Sequence, residues 1–367
     1  MAVAEGQWWR VLVLMPKKPK TRRHRYHLRN WPQYNRALKA RGSLTLWLDE
    51  SAIRHWIQPP RVGERRPPGH PVIYSDLAIR CLLTLRAVFH LPLRATEGFA
   101  RSVLALLRLA GPLPTPDFST LARRAQRLTV ELHVPHPKEP LHLVVDATGL
   151  KCYGEGEWKV KQHGWVKHRR WRKLHLMTDR TTLLIRGVTT SGEHASDSQE
   201  LGTLLGQEPE PVATVKGDTA YDTHAAYAAV AARAEQPRAI FLPRRARRAG
   251  TRPRPDRGHP RVEGQRVNRG GYRSRIWQHG NCHAPPLDRD EHIRRIRAVG
   301  RQRWKEEVGY HERNLAETTV FRFKTLFGPA LSARDERSRA TEVRLKGAAL
   351  NRMTRLGMPD SFPVQAA

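Results

Sequence analysis

The sequence predicts an α/β fold entered through a helical region, and three observations carry that prediction. Apolar residues recur at helical spacing between Ser75 and Arg124. After Pro140 they gather into strand-like runs such as LHLVVDAT (141–148) and PVATVKGD (211–218). A long amphipathic segment, TEVRLKGAALNRMTRL (341–356), then reads as a helix that closes the core. With 367 residues, 39% of them hydrophobic, the chain can bury a sizeable core as one large domain or two ordinary ones.

Along the chain, residues 16–41 come first, from PKKPKTRRHRYHLRN into WPQYNRALKARG. They are basic with interleaved Tyr and Trp, the texture of an arm lying along phosphates or of a solvated tail. SDLAIRCLLTLRAVFHL, ATEGFARSVLALLRL and DFSTLARRAQRL follow as three helices, each opened by Ser/Thr or Asp as N-cap and punctuated by Pro92, Pro112, Pro114 and Pro116. The basic last helix, with Arg123 and Arg124, leaves a DNA-reading helix-turn-helix and a plain helical bundle both open.

Past Pro140, RKLHLMTD and TTLLIRGVTT read as two strands joined by a turn at Asp179-Arg180, SDSQELGTLLG as a capped helix, His224 to Ala234 as a helix and AIFLP as a short strand. Twelve arginines against two acids, Asp256 and Glu263, then fill Arg244 to Arg275, so a basic loop or a linker is expected there. Arg244, Arg245, Arg247 and Arg248 open that stretch and are candidates for gripping a DNA backbone. Helical character resumes from Asp290 to Phe327.

Lys and Arg number 66 against 34 acids, a formal charge of +32, which points to a polyanionic partner, with nucleic acid ahead of a membrane surface. The three cysteines, Cys81, Cys152 and Cys282, show no CxxC spacing, which argues against a zinc knuckle or redox disulfide and fits a reducing, cytoplasmic, nucleoid-associated setting. Val11 to Met15 is far too short for a membrane span, so neither signal peptide nor anchor is expected.

The chemistry is expected at strand ends. Asp146 follows Leu143-Val144-Val145 and Asp218 follows Val212 to Val215, so two strands of one sheet can present acids side by side, and a divalent cation is the usual compensation for their repulsion. Each Asp alone reads equally as a turn or cap residue. Their flanks, DATGL and GDTAYD, put small residues where a metal or phosphate needs space. In YHERNLAETTVFRFK, Tyr310, Arg313, Glu317 and Lys324 fall within an arc of roughly 60° at about 100° per residue, while Leu315, Val320, Phe323 and Phe327 point elsewhere. That face is either a solvated stripe with an i,i+4 ion pair or a site in which Glu317 is a third metal ligand beside phosphate-holding Arg313 and Lys324.

On these residues the chain resembles the DDE transposases of the insertion-sequence 5 group and its relatives. Their signature of two strand aspartates and a helix written Y-x2-R-x3-E-x6-K is matched by Asp146, Asp218, Tyr310, Arg313, Glu317 and Lys324, and NWPQYNRALKARGSLTLWLDE, DFSTLARR and KLHLMTD extend the likeness over most of residues 15–360. The resemblance implies an α/β fold with an RNase H-like core, a mixed sheet flanked by helices, preceded by an α-helical DNA-binding region. It implies catalytic and metal-binding roles for Asp146, Asp218 and Glu317 with two Mg2+ ions, Mn2+ as substitute, and DNA-phosphate contacts from Tyr310, Arg313 and Lys324. The implied partner is double-stranded DNA, both element ends and target, held by a homodimer, with no membrane. The alternatives are an RNase H-like nuclease without joining activity and a catalytically decayed DNA-binding repressor. The expected divisions are a basic arm at 1–29, the helical region at 30–135, the first part of the core at 136–243, the Arg-rich insertion at 244–288, and the catalytic and closing helices at 289–360. Residues 1–14 read as an upstream extension if Met15 is the true start. Trp158 and Trp165 are candidates for stacking on a displaced base, with ordinary packing as the simpler role.

Overall fold

The computed structural model describes residues 25–48, 50–58, 73–106, 113–152, 171–244 and 288–364. Strand β1 (Arg25–Leu28) leads into helices α1 (Trp31–Ala40), α2 (Leu44–Trp47), α3 (Glu50–Arg54), α4 (Asp76–Val88), α5 (Leu93–Leu106) and α6 (Phe118–Ala125). The main sheet follows as β2 (Leu141–Cys152), β3 (Trp171–Asp179), β4 (Ile185–Gly192), β5 (Val212–Gly217) and β6 (Arg238–Phe241), with α7 (Leu201–Leu205) and α8 (His224–Ala231) between its later strands. Helices α9 (Asp288–Val299), α10 (Arg301–Glu307) and α11 (Asn314–Phe327), the short strand β7 (Ala330–Leu331), α12 (Glu336–Leu356) and β8 (Ser361–Val364) complete the order.

Local chemistry sets the helix starts. The side chains of Ser75, Asp117, Thr223 and Asp335 each accept the backbone N–H three residues on, capping α4, α6, α8 and α12. Thr96 is no cap: α5 begins at Leu93, and the Thr96 hydroxyl donates to Pro92 O inside the helix. At Ser196, the expected capped helix opens as a single 3-10 turn with Gln199 completing a capping box, before α7.

The sheet runs β4-β3-β2-β5-β6, with β7 also on β2. β3 is antiparallel to both of its neighbours, β2 and β4, whereas β5 lies parallel to β2 and β6 parallel to β5. This mixed sheet between helices is consistent with the expected RNase H-like core. Side chains alternate across it. Leu141, Leu143 and Val145 face α7 and α8, packing with Leu201, Leu204, Tyr221 and Tyr227. Leu150, Leu174, Leu176 and Val188 face the other way, against Phe323 and Phe327 of α11 and Val343, Ala349 and Leu350 of α12.

Two features depart from the expected layout. Helices α4 to α6 do not form a core of their own, because Ile79, Leu82, Leu85, Val103 and Leu121 belong to the same apolar cluster as the sheet residues and α12. A helix as apolar on all sides as α4 must be covered from more than one direction. The end of the basic arm is also folded: β1 pairs antiparallel with β8, from Arg25↔Val364 to Leu28↔Ser361. Asn30 secures the join, donating to Met358 O and accepting from Asp360 N, both at 2.8 Å. The first 24 residues of the arm, Trp158, Trp165 and nearly all of the Arg-rich stretch lie outside the described residues.

Edge strand β4 is closed by a side chain. Buried Asn351 of α12 accepts Ile185 N–H at 2.7 Å and donates to Ile185 O at 2.8 Å, and also reaches Leu132 O at 3.3 Å. Asn351→Leu strands both polar groups of Ile185 in a covered position, and a loss on the order of 2–5 kcal/mol is expected, read as a lowered denaturant midpoint. A change below about 1 kcal/mol would show that water reaches the β4 edge.

Candidate active site

Asp146 sits where β2 changes partners. β5 accompanies β2 only to the pair Val144↔Lys216, and β7 joins at Lys151↔Ala330. Asp218 directly follows β5, and carrying the first register two residues further brings it level with Asp146. Position 146 also alternates onto the face covered by α11. Asp218 is the N-cap of the turn Thr219–Tyr221, one carboxylate oxygen accepting Ala220 N–H at 2.7 Å. The turn-cap role and proximity to Asp146 therefore coexist in one residue.

The charges that reach Asp146 come from three elements. Burial pushes its carboxyl up to about 6; the Ala147 N–H pulls it down, Asp218 and Glu317 push it up, and Arg313 opposes them. Glu317, in the first turn of α11, is half exposed and paired with Arg313 at 2.7 Å. Lys324, two turns on, donates to Thr148 Oγ1 at 2.5 Å, one alternation along β2 from Asp146. Tyr310 lies deeper. Its ring is buried with Ile240, Leu242, Ile296 and Trp304, 5.8 Å from the Trp304 ring, and burial pushes its hydroxyl up to about 12. The Arg313 guanidinium lies over that ring at 6.0 Å.

The remaining candidates are spread over the molecule. Arg123 is exposed on α6 and reaches Thr120 Oγ1, while Arg124 is held by Tyr74 O and Asp76. Arg244 clamps the turn after Asp218, donating to Thr219 O at 2.7 Å and Ala220 O at 3.3 Å, with its own N–H on Asp222. Arg245, Arg247 and Arg248 lie outside the described residues. Two of the glycines flanking the aspartates are required by packing within the chain itself. A Cβ at Gly217 would stand 2.8 Å from the Tyr221 ring, and one at Gly149 would stand 3.2 Å from the Trp171 ring. Those glycines admit the chain's own aromatics.

Sequence reading passed over Lys216 and Glu312. Lys216 is buried, and its ammonium donates to Glu312 at 2.6 Å, Val308 O at 2.9 Å and Gly309 O at 3.0 Å. The available signal was a lysine between Val215 and Gly217 in an otherwise buried strand, which demands a partner.

As they stand, no three His, Cys, Asp or Glu side chains among the described residues form a group able to hold a metal ion, and Glu317 is engaged by Arg313. The donor chemistry nonetheless fits a hard divalent cation. The acids concerned offer carboxylate oxygens, which suit such an ion, and Asp218 and Glu317 are near enough to Asp146 to raise its carboxyl.

For the cation-free protein, the pH dependence follows from the direction of the shift. The fold favours neutral Asp146, so its contribution to stability is full below 3.8 and is lost as pH rises through about 6. Buried His175, 2.7 Å from Ser191 Oγ and held down at about 4 by burial, works oppositely: its contribution is full above 6.5 and is lost as pH falls through about 4. The windows overlap, so the useful measurement is a difference. Asp146→Asn is expected to gain on the parent in thermal midpoint between about pH 4 and about pH 7. A constant gap would mean that the carboxyl is not perturbed.

Two family models match the chain. One, described as a transposase DDE domain, covers residues 39–155, and a second with the same description covers residues 137–352. The second match alone takes in more than half of the 367 residues, including β2, β5 and α11 with Asp146, Asp218 and Glu317. The chain belongs to the DDE transposases, enzymes that cut and transfer DNA with the help of divalent metal.

Proposed function

We propose that the protein is an insertion-sequence 5-type transposase that binds the terminal inverted repeats of its element, cleaves there and joins the 3′ ends to target DNA. In this reading Asp146, Asp218 and Glu317 would hold two divalent cations, Mg2+ or Mn2+. When bound, the cations supply activation of the attacking oxygen and charge stabilisation at the leaving one. One observation carries the reading: charges from β2, β5 and the start of α11 converge on Asp146, although Glu317 is 171 positions away in sequence.

The chain's own side chains do the positioning. Arg313, braced against the buried Tyr310 ring, is suited to a backbone phosphate, and Lys324 offers a second cation beside Thr148. Arg313 and Glu317 form a half-exposed pair worth about 0–1 kcal/mol, so a phosphate can take Arg313 and release Glu317 at little cost. Water then serves as nucleophile for cleavage and the freed 3′-hydroxyl for joining, and no protein nucleophile is required. The homodimer belongs to this proposal, since two element ends need two sites.

Asp146→Asn, Asp218→Asn and Glu317→Gln are each expected to abolish magnesium-dependent nicking of an element-end duplex while duplex binding persists. Unchanged nicking in any one removes that residue from the site. Arg313→Ala is expected to retain cation affinity and lose strand transfer, measured with a mini-element integration assay. Equal loss of transfer and of folding stability would return the residue to a surface-pair role. That assay also separates a transposase from a nuclease, which releases cut ends without an integrated product.

A further inference from the structure

Arg180, Lys216 and Glu312 form a group of charges beside the proposed site to which its chemistry gives no role. They come from three places. Arg180 is in the β3–β4 turn, with its own N–H on His142 O of β2. Lys216 is in β5, two residues before Asp218, and Glu312 is in the 3-10 turn Tyr310–Arg313 that leads directly into α11. We propose that Glu312 is a positioning residue: gripped by Lys216 and Arg180, it seats that turn on the sheet and so fixes where Arg313 and Glu317 stand relative to Asp146 and Asp218. The inference rests on the reading of Glu317 as a cation ligand.

The hydrogen-bond accounting supports it. An ammonium has three donors. Those of Lys216, with a side chain only 6% exposed, go to Glu312, Val308 O and Gly309 O, all on the segment that precedes α11. Arg180 reaches both Glu312 oxygens at 3.1 Å. Together these cations hold the Glu312 carboxyl below its ordinary range against the opposing effect of burial. Gly309 allows the fit, since it sits at φ +59° and a Cβ there would stand 3.1 Å from the Lys216 ammonium. Any rotation of the turn breaks several charge-assisted bonds at once. Stability alone explains the cluster poorly, because a buried ion pair does no better than apolar packing of similar volume. The cluster does fix the register between one segment and one strand, and those two carry Glu317 and Asp218.

The test is Mn2+ binding to the full chain without DNA, followed by the paramagnetic resonance signal of the free ion. Glu312→Gln and Glu317→Gln are each expected to weaken binding by about ten-fold, and the double variant is expected to bind no more weakly than Glu317→Gln alone. Arg180→Gln, whose side chain is a third exposed and less exposed to folding failure on replacement, is expected to shift affinity in the same direction. If Glu312→Gln does not fold, Arg180→Gln and its combination with Glu317→Gln complete the same cycle. Affinity within about two-fold of the parent in Glu312→Gln and Arg180→Gln overturns the proposal, as does an undiminished loss in the Glu317→Gln background. If Glu317→Gln itself leaves Mn2+ affinity unchanged, the ligand reading falls and the positioning role falls with it. If Glu317→Gln weakens binding and the other two do not, only the positioning role falls.

Discussion

β2 is the constraint on which the site depends. It has β3 along one edge from Leu143 to Lys151, but on the other edge β5 accompanies it only to Val144 and β7 rejoins it only at Lys151. Between those points the strand is paired along one edge only, and α11 packs over one of its faces. The first half of β2 is buried because both faces carry apolar layers, with Leu143 and Val145 on one side and Val144 on the other. Asp146 comes at the first position where the second layer gives way to the polar side of α11.

That placement sets like charges close together, and among the described residues Arg313 is a cation that opposes them. Ionised carboxylates side by side repel, and Asp218 and Glu317 both raise the Asp146 carboxyl beyond what burial does. The exposed Arg313–Glu317 pair offsets at most about 1 kcal/mol. The formal charge of +32 favours ionised acids over long distances, yet Asp146 is still pushed up to about 6, so local burial and local like charge outweigh the general field. In the proposed site a divalent cation would be attracted by all three acids, whereas the Arg313 guanidinium pairs with Glu317 alone. The acidic site and the basic chain thus serve opposite needs: the surplus of cations suits a phosphate backbone, and the few acids suit the ions that work on it.

The strands were legible in sequence wherever an apolar run ended at a turn residue. β2 at LHLVVDAT, the β3–β4 hairpin turning at Asp179, and β5 at PVATVKGD stand close to where the pattern places them. α12 was legible from its period, although it starts five residues before Thr341 because Asp335 caps it. β1, β7 and β8 were not legible. They are two to four residues long, and β1 pairs with a segment at the opposite end of the chain, so neither alternation nor turn chemistry marks them. The shared core of α4 to α6 with the sheet was hidden for a related reason: periodicity shows that a helix has an apolar face, never which element covers it. Lys216 and Glu312 were missed because each is unremarkable in its own segment, and only the fold brings them within 2.6 Å.

The motif that leads into α11 shows the same limit more finely. Spacing placed Tyr310, Arg313, Glu317 and Lys324 on one face of one helix, but the first four residues of that stretch form a 3-10 turn and α11 begins only at Asn314. In a 3-10 turn, side chains three apart eclipse. Arg313 therefore still lies over Tyr310, and the alignment survives the change of helix type. Depth does not survive in the same way. Tyr310 is buried against Trp304, Glu317 is half exposed, and Lys324 dips back to Thr148, so the stripe crosses from core to solvent and returns. A spacing rule gives a direction around a helix axis and carries no information about burial. The three-residue step between Tyr310 and Arg313 is thus best understood as a packing requirement, because it sets a guanidinium on an aromatic ring whose own place is decided by the core.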